Sequence, residues 1–466
     1  MRAAQSYFFC GIGGSGMMPL AVLLQKKGMR VYGSDRSYDQ GKTPDKFKAL
    51  QNAGLILCPQ DGRGISDEID VLVVSSAIES SIPDVKCALD LDIPIMTRGE
   101  LLAQFFNLSK DSVAVAGTSG KSSVTGMVGT VLAELGKDPT IVNGGEIRNF
   151  RTSDNDKFSG VRKGDDDLFV AEMDESDGSI AHYRPSVAAL NNIALDHKTM
   201  EELEQLFGDY VACARDGVIA NYDQSRVKSL CDLRANARVI SYAIKDMTAD
   251  LVAQNIKPQA TGIDFDLLIG GRCYPVSLNV PGRHNVENAL ACFAICYAMN
   301  MDMAACVKGI QAFGGIHRRM ELVGQAGGVT VLDDFAHNPD KIAASLQALR
   351  EFDGRLIIMF QLHGFGPLRM MGAEMADVFA RYLQADDQLL IPEVYYAGGT
   401  VDRSITAKDW VQDLQGKGVC AHWFAQRVDT SKFISERTKA GDRVVIMGAR
   451  DDTLHIFAHE VLDMFG

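Results

Sequence analysis

Two glycine-rich loops, at 11–16 and 117–120, each follow a short apolar run and open a helix-like segment. A strand that enters a tight glycine turn and continues as a helix is the repeating unit of parallel α/β sheets. The alternation continues along the chain, so the expected fold class is α/β throughout. At 466 residues the chain exceeds what one compact core holds, and three domains are expected, at 1–108, 109–317 and 318–466. The first is Rossmann-like, with strands over 6–10, 30–33 and 71–74 and a helix over 17–27. The second is a phosphate-loop ATPase-like α/β domain with buried strands over 112–116, 167–171 and 187–191. Its stretch 256–280 partly alternates polar and apolar residues, which suggests an antiparallel excursion. The third, with strands over 329–332, 355–360, 387–391 and 443–447, is a doubly wound, Rossmann-like α/β domain.

Composition removes several function classes. A formal charge of −13, from 60 acidic and 47 basic residues, offers no field for a polyanion, so no nucleic-acid partner is expected. The chain shows no cleavable apolar leader and no run near the roughly 20 apolar residues of a membrane span. A cytoplasmic protein without a membrane partner is expected. Its 10 cysteines are scattered and never take a C-x-x-C spacing, which reads as reduced thiols rather than a metal or disulfide framework.

The first loop, Gly11-Ile12-Gly13-Gly14-Ser15-Gly16, can hold a diphosphate on backbone amides and a helix dipole. Asp35, at the end of the next strand, suits a ribose, so an NAD-binding domain is one reading and a turn that binds nothing is another. The second loop, Ala116-Gly117-Thr118-Ser119-Gly120-Lys121-Ser122-Ser123, is more specific. It reads as a phosphate loop whose amides cradle a β-phosphate, whose Lys121 neutralises β/γ oxygens and whose Ser122 hydroxyl ligates magnesium. The usual first glycine is absent, because Val115 stands there. Downstream, Glu172-Met173-Asp174-Glu175-Ser176-Asp177 and Asn191-Asn192-Ile193-Ala194-Leu195-Asp196-His197 each close a buried strand. Hard oxygen ligands and a histidine at strand C-termini suit magnesium beside phosphates, whereas the bland alternative is a solvated loop and a capped core histidine.

In this order the motifs resemble those of the Mur ligase family along essentially the whole chain. Further matches are Gly33-Ser34-Asp35, Ser75-Ser76-Ala77-Ile78, Arg98-Gly99-Glu100, Pro281-Gly282-Arg283-His284-Asn285-Val286-Glu287-Asn288, Arg318-Arg319, Asp333-Asp334-Phe335-Ala336-His337-Asn338-Pro339 and Glu393-Val394-Tyr395-Tyr396-Ala397-Gly398. The resemblance implies that Gly11 to Met17, with Asp35, Ser75 and Ser76, bind the diphosphate of a UDP-sugar, which displaces the NAD reading. It implies an ATP site formed by Gly117, Thr118, Ser119, Gly120, Lys121, Ser122 and Ser123, joined by His284, Asn285, Asn288, Arg319 and Asp334. Ser122, Glu172 and His197 would place magnesium, while His337, His363 and Arg369 would receive the amine. Lys121, His197, Arg319 and His337 are then the expected catalytic residues.

The implied activity is an ATP- and magnesium-dependent amide ligase that activates the lactyl carboxylate of UDP-N-acetylmuramate as an acyl phosphate and joins it to an amine. L-alanine is the first reading of that amine; another amino acid, or a recycled murein tripeptide, is the second. A catalytically silent nucleotide-binding paralogue is the reading from a different class, and a monomer or homodimer is expected. Two departures from the alanine-adding branch stand out. Ser119 replaces a usual histidine, and after His363 a normally arginine-rich stretch reads Gly364-Phe365-Gly366-Pro367-Leu368-Arg369-Met370-Met371-Gly372, closer to the tripeptide-recycling branch.

Overall fold

A computed structural model describes residues 5–14, 16–75, 79–152, 158–175, 177–194, 199–259, 261–395, 403–449, 451 and 453–466. The chain forms two compact units. One comprises Met1–Asn255, Phe265–Val276 and Val286–Gly314; the other comprises Ile256–Asp264, Ser277–Asn285 and Gly315–Gly466.

The first unit opens with a parallel five-stranded sheet of β1 (Ser6–Cys10), β2 (Arg30–Ser34), β3 (Ile56–Cys58), β4 (Val71–Val74) and β5 (Ile95–Thr97), ordered β3-β2-β1-β4-β5. The central strand is covered on both faces, and every residue of β1 is buried, which is why its sequence is a continuous Phe-Phe-Cys run instead of an alternation. The helix Arg98–Leu108 leaves this sheet under a capping box between Thr97 and Glu100. Its Phe106 packs edge-on against Phe169 at 5.4 Å and Tyr183 at 5.2 Å. The 1–108 segment therefore shares one core with the segment that follows.

That segment carries a ten-stranded sheet: β6 (Asp111–Ala116), β7 (Pro139–Val142), β8 (Val161–Arg162), β9 (Asp165–Glu172), β10 (Val187–Leu190), β11 (Gly217–Asn221), β12 (Arg238–Ala243), β13 (Leu251–Gln259), β14 (Gly262–Ile269) and β15 (Arg272–Leu278), ordered β15-β14-β13-β12-β11-β10-β6-β9-β7-β8. β14 alternates buried and part-buried positions along most of its length, and only Gly270 and Gly271, both at positive φ, separate it from β15. Two left-handed residues between neighbouring strands make a primed hairpin turn, so the expected antiparallel excursion is present.

The second unit holds a six-stranded sheet of β16 (Glu321–Ala326), β17 (Val329–Asp334), β18 (Leu356–Gln361), β19 (Gln388–Pro392), β20 (Ala421–Phe424) and β21 (Arg443–Gly448), ordered β16-β17-β21-β18-β19-β20. Only the β16/β17 hairpin is antiparallel. Helices cover both faces, as in a doubly wound domain. Arg318 ties its first hairpin to the end of β21. The guanidinium pairs with Asp333 at 3.1 Å and donates to the carbonyls of Gly448 at 2.8 Å and Asp451 at 3.3 Å. Both side chains of the pair are buried, and Arg318 takes a left-handed φ of 56° to reach its partners. Arg318→Met would leave Asp333 buried without a counter-charge. A loss of about 3–5 kcal/mol is expected, measured as a lowered urea midpoint for the transition that reports on the second unit.

Candidate active site

The C-terminal ends of β6, β9 and β10 meet in the first unit. Val115 pairs with Glu172 and Ala116 with Leu190, so the loops that leave the three strands emerge side by side. The loop after β6 turns through Gly117 (φ 129°) and Gly120 (φ 81°) and enters the helix Lys121–Glu134. A Cβ at Gly120 would lie 2.6 Å from Asn288 Oδ1. The left-handed φ is what favours glycine here, because an L side chain is strained in that region.

Asn192, beyond β10, splints this loop. Its Oδ1 accepts from the Ser119 amide at 2.8 Å and from Thr118 Oγ1 at 2.9 Å, while its Nδ2 donates to Ser119 Oγ at 2.9 Å. Ser122 Oγ donates to Glu172 Oε2 at 2.5 Å. Lys121 Nζ donates to the Gly117 carbonyl at 2.6 Å and to both oxygens of Glu175, at 2.8 and 3.1 Å. The same acidic turn holds Arg98, whose guanidinium lies 2.9 Å from Asp177 and 3.7 Å from Asp174. Burial works against the charge of Asp177, but the Ser179 hydrogen bonds and Arg98 hold its carboxyl below the ordinary range.

The first glycine loop opens on the same cleft, a cavity of about 620 Å³. Gly14, Gly16, Met17 and Ser75 line it together with Arg98, Lys121, Asn143 and Glu172. Gly11, Ile12, Gly13 and Asp35 stand behind that lining. Asp35 accepts from the Gly13 amide at 2.9 Å and caps the following helix through the Ser37 amide at 2.8 Å, so it shapes the loop. Ser15, Ser76 and His197 lie outside the described residues, as do Ala77, Ile78, Leu195 and Asp196. Among the described residues no group of three or more His, Cys, Asp or Glu side chains is placed to hold a metal ion. The Ser122 hydroxyl and Glu172 carboxylate nevertheless offer two converging hard oxygens, and magnesium commonly keeps several waters besides one or two carboxylates.

Asn285 and Asn288 share a face of the helix Arg283–Ala298 one turn apart. Asn285 donates to the Pro281 carbonyl at 2.7 Å, and His284 lies exposed beside Gly282. In the second unit, His337 and His363 stack edge to face at 5.0 Å, and His337 Nδ1 lies 2.8 Å from the Phe335 carbonyl. Arg369 follows on the exposed side of the helix Phe365–Tyr382. Asp334 is buried, bonded to the Ser345 hydroxyl and the Met320 amide. Burial raises its pKa above the ordinary range. Arg319 is exposed, while its neighbour Arg318 makes the buried ion pair. The ten cysteines are free. Burial and Asp84 push the Cys10 thiol up to about 12, which makes it inert.

Residues 6–110, 115–296 and 318–450 match, in that order, the catalytic domain of the Mur ligase family, the Mur ligase middle domain and the Mur ligase glutamate ligase domain. The UDP-N-acetylmuramate–L-alanine ligase of Agathobacter rectalis is 32% identical over 95% of this chain and 94% of its own length. The chain belongs to the Mur ligase family.

A ligase of the same name from Desulfosudis oleivorans is 32% identical over 96% of both chains. Two solved structures share the fold of this Mur ligase over nearly all of both chains. The UDP-N-acetylmuramate-alanine ligase of Thermotoga maritima has a TM-score of 0.77 at 23% identity, with 98% of each chain covered. The murein peptide ligase of Psychrobacter arcticus has a TM-score of 0.67 at 23% identity, with 99% of each chain covered. No helix among the described residues is long and apolar enough to cross a membrane.

Sequence reasoning gave no role to Asn192, none to Glu175 beyond its place among the acids suited to magnesium, and none to Arg98. The first two sit inside quoted motifs and the third begins one, so a signal was present, but the partner of each lies more than 50 residues away. Asn192→Ala would free the Ser119 amide from its acceptor. Exchange of that amide should accelerate about tenfold, as followed by hydrogen-exchange mass spectrometry on the peptide that spans 117–123.

Proposed function

We propose that this Mur ligase joins L-alanine to the lactyl carboxylate of UDP-N-acetylmuramate in a cytoplasmic, ATP- and magnesium-dependent step of peptidoglycan synthesis. One observation carries the reading. A glycine-loop helix start, suited to a diphosphate, and a phosphate-loop lysine face one cleft of about 620 Å³, so a sugar nucleotide and ATP can meet there. The names of the relatives supply the alanine.

The chemistry follows from that pairing. A carboxylate is a poor acyl donor, so its oxygen first attacks the γ-phosphorus of ATP and ADP leaves. The amine then attacks the acyl carbon through a tetrahedral intermediate, and inorganic phosphate departs. Lys121 neutralises the charge that develops on the transferred phosphoryl group, and the amides of Gly117 to Ser123 hold the phosphates. Magnesium, held by Ser122 and Glu172 with His197, supplies further charge neutralisation when bound. Asn285 and Asn288 are assigned to the adenosine side and His284 to the nucleotide's rim. Arg319 and Asp334 are assigned to ATP, and the Asp334 carboxylate accepts from the Met320 amide next to Arg319. His337, His363 and Arg369 are assigned to the acceptor.

A second reading of the acceptor has its own observation. The C-terminal ends of β18, β19 and β21 open on a cavity of about 730 Å³ lined by Gln361, Glu393, Tyr395, Arg427, Asp451 and Glu460. That volume exceeds what alanine fills, and the charged lining suits a short peptide.

Phosphate release from ATP, magnesium and UDP-N-acetylmuramate should be stimulated by L-alanine. Stimulation only by the alanyl-glutamyl-diaminopimelate tripeptide would transfer the assignment to the second reading, and no release with any acceptor despite ATP binding would mark a silent paralogue. In the same assay Lys121→Ala should lower turnover by about 10²–10³-fold, while calorimetry finds UDP-N-acetylmuramate binding nearly unchanged. Loss of sugar-nucleotide binding in that variant would refute two separate phosphate sites.

A further inference from the structure

The ammonium of Lys121 is held by the protein itself: it donates to the Gly117 carbonyl and lies against both oxygens of Glu175. The lysine lines the cleft, whereas Glu175 does not and is only 6% exposed. The carboxylate therefore stands behind the ammonium, on the side away from an incoming phosphate. It is also anchored within its turn. Three residues before it, Glu172 receives the Ser122 hydroxyl; two residues after it, Asp177 holds Arg98; and the Gly178 amide closes back on the Glu175 carbonyl at 3.4 Å. Glu175 thus has little freedom to follow the lysine when the lysine moves.

A reason for such a counter-ion lies in the loop. Lys121 is the first residue of a 14-residue helix, where the macrodipole is positive and a cation is disfavoured. With its side chain one-fifth exposed, an unpaired ammonium there would repel both the helix end and nearby loop amides. Glu175 supplies the negative charge that a triphosphate would otherwise bring. A phosphate oxygen arriving at the ammonium competes with the carboxylate for it, and that competition lowers the apparent affinity.

We propose that Glu175 is a positioning residue that stands in for the phosphates of ATP in the nucleotide-free enzyme, holding Lys121 extended and competing with the nucleotide for it. The inference rests on the ATP reading of the phosphate loop. Removing the charge has two consequences of opposite sign. The nucleotide-free protein becomes less stable, and ATP binds more tightly because the carboxylate no longer competes for the lysine. A carboxylate with a purely structural role would shift both in the same unfavourable direction.

The experiment is calorimetric titration of magnesium-ATP into the full-length wild type, Glu175→Gln and Glu175→Asp, without sugar nucleotide or acceptor, beside thermal melts of each. Glu175→Gln should bind ATP about tenfold more tightly and melt at a lower temperature without nucleotide. Glu175→Asp keeps the charge on a shorter stem, and two- to threefold tighter binding, about half that effect on a logarithmic scale, is expected. ATP affinity that is unchanged or weaker in Glu175→Gln overturns the proposal, and if that variant does not fold, unchanged affinity in Glu175→Asp does so. No ATP binding by the wild type would instead bring down the ATP reading itself.

Discussion

The hydrogen bonds that pair β6 with β9 on one side and β10 on the other set the geometry of everything described for the first unit. The Met173 amide donates to the Val115 carbonyl at 2.8 Å and the Asn191 amide to the Ala116 carbonyl at 3.1 Å, just where the three strands end. Three separate loops are therefore held at one height above the sheet. The glycine turn, the acidic turn and the Asn191-Asn192 turn cannot slide past each other without breaking backbone bonds at the buried end of β6. With the loops so held, Lys121 lies within 3 Å of the Glu175 carboxylate and the Ser122 hydroxyl within 3 Å of the Glu172 carboxylate, and the crevice at the strand ends follows from the topology.

Polar groups in this cleft are paired before any ligand arrives. Arg98 with Asp174 and Asp177, Lys121 with Glu175, and Ser122 with Glu172 make a chain of contacts along one turn of six residues. Because Arg98 begins the helix that leaves the five-stranded sheet, the acidic turn links that helix to the glycine loop after β6. Arg98 and Ser122 are thereby held in place by fixed partners, whereas the Lys121–Glu175 contact is the one a phosphate would compete for. The splint through Asn192 fixes the shape of the loop with bonds to Thr118 and Ser119.

Much of this was legible in the sequence, for a physical reason. Strands covered on both faces read as unbroken apolar runs, so β1, β4, β6 and β10 stand out, and glycine loops mark where they turn. Short strands at or near sheet edges do not. Ile56–Cys58 and Ile95–Thr97 have three residues each, and no residue of either is buried, so no periodicity develops. Spacing also places residues without saying what they touch. Asp35 falls where a ribose-binding acid is expected, yet its carboxylate is spent on the Gly13 and Ser37 amides. Arg318 and Arg319 are indistinguishable by type, and only the left-handed backbone at Arg318 and Met320 turns one guanidinium into the interior and the other outward.

The two departures from the alanine-adding pattern carry unequal weight. Ser119 lies in the loop that Asn192 splints, and its hydroxyl accepts one of the Asn192 bonds. The serine is accommodated by contacts inside that loop. The stretch after His363 is different. Gly364, at φ 139°, breaks the chain direction, and Phe365 starts a helix that continues to Tyr382 with Pro367 in its first turn, where a missing amide hydrogen is tolerated. Glycine, phenylalanine and proline thus stand as a helix start where the alanine-adding branch has a basic loop, beside the His337–His363 pair assigned to the acceptor. The two departures thus fall in different settings, one inside a loop fixed by strand pairing and one at a helix start.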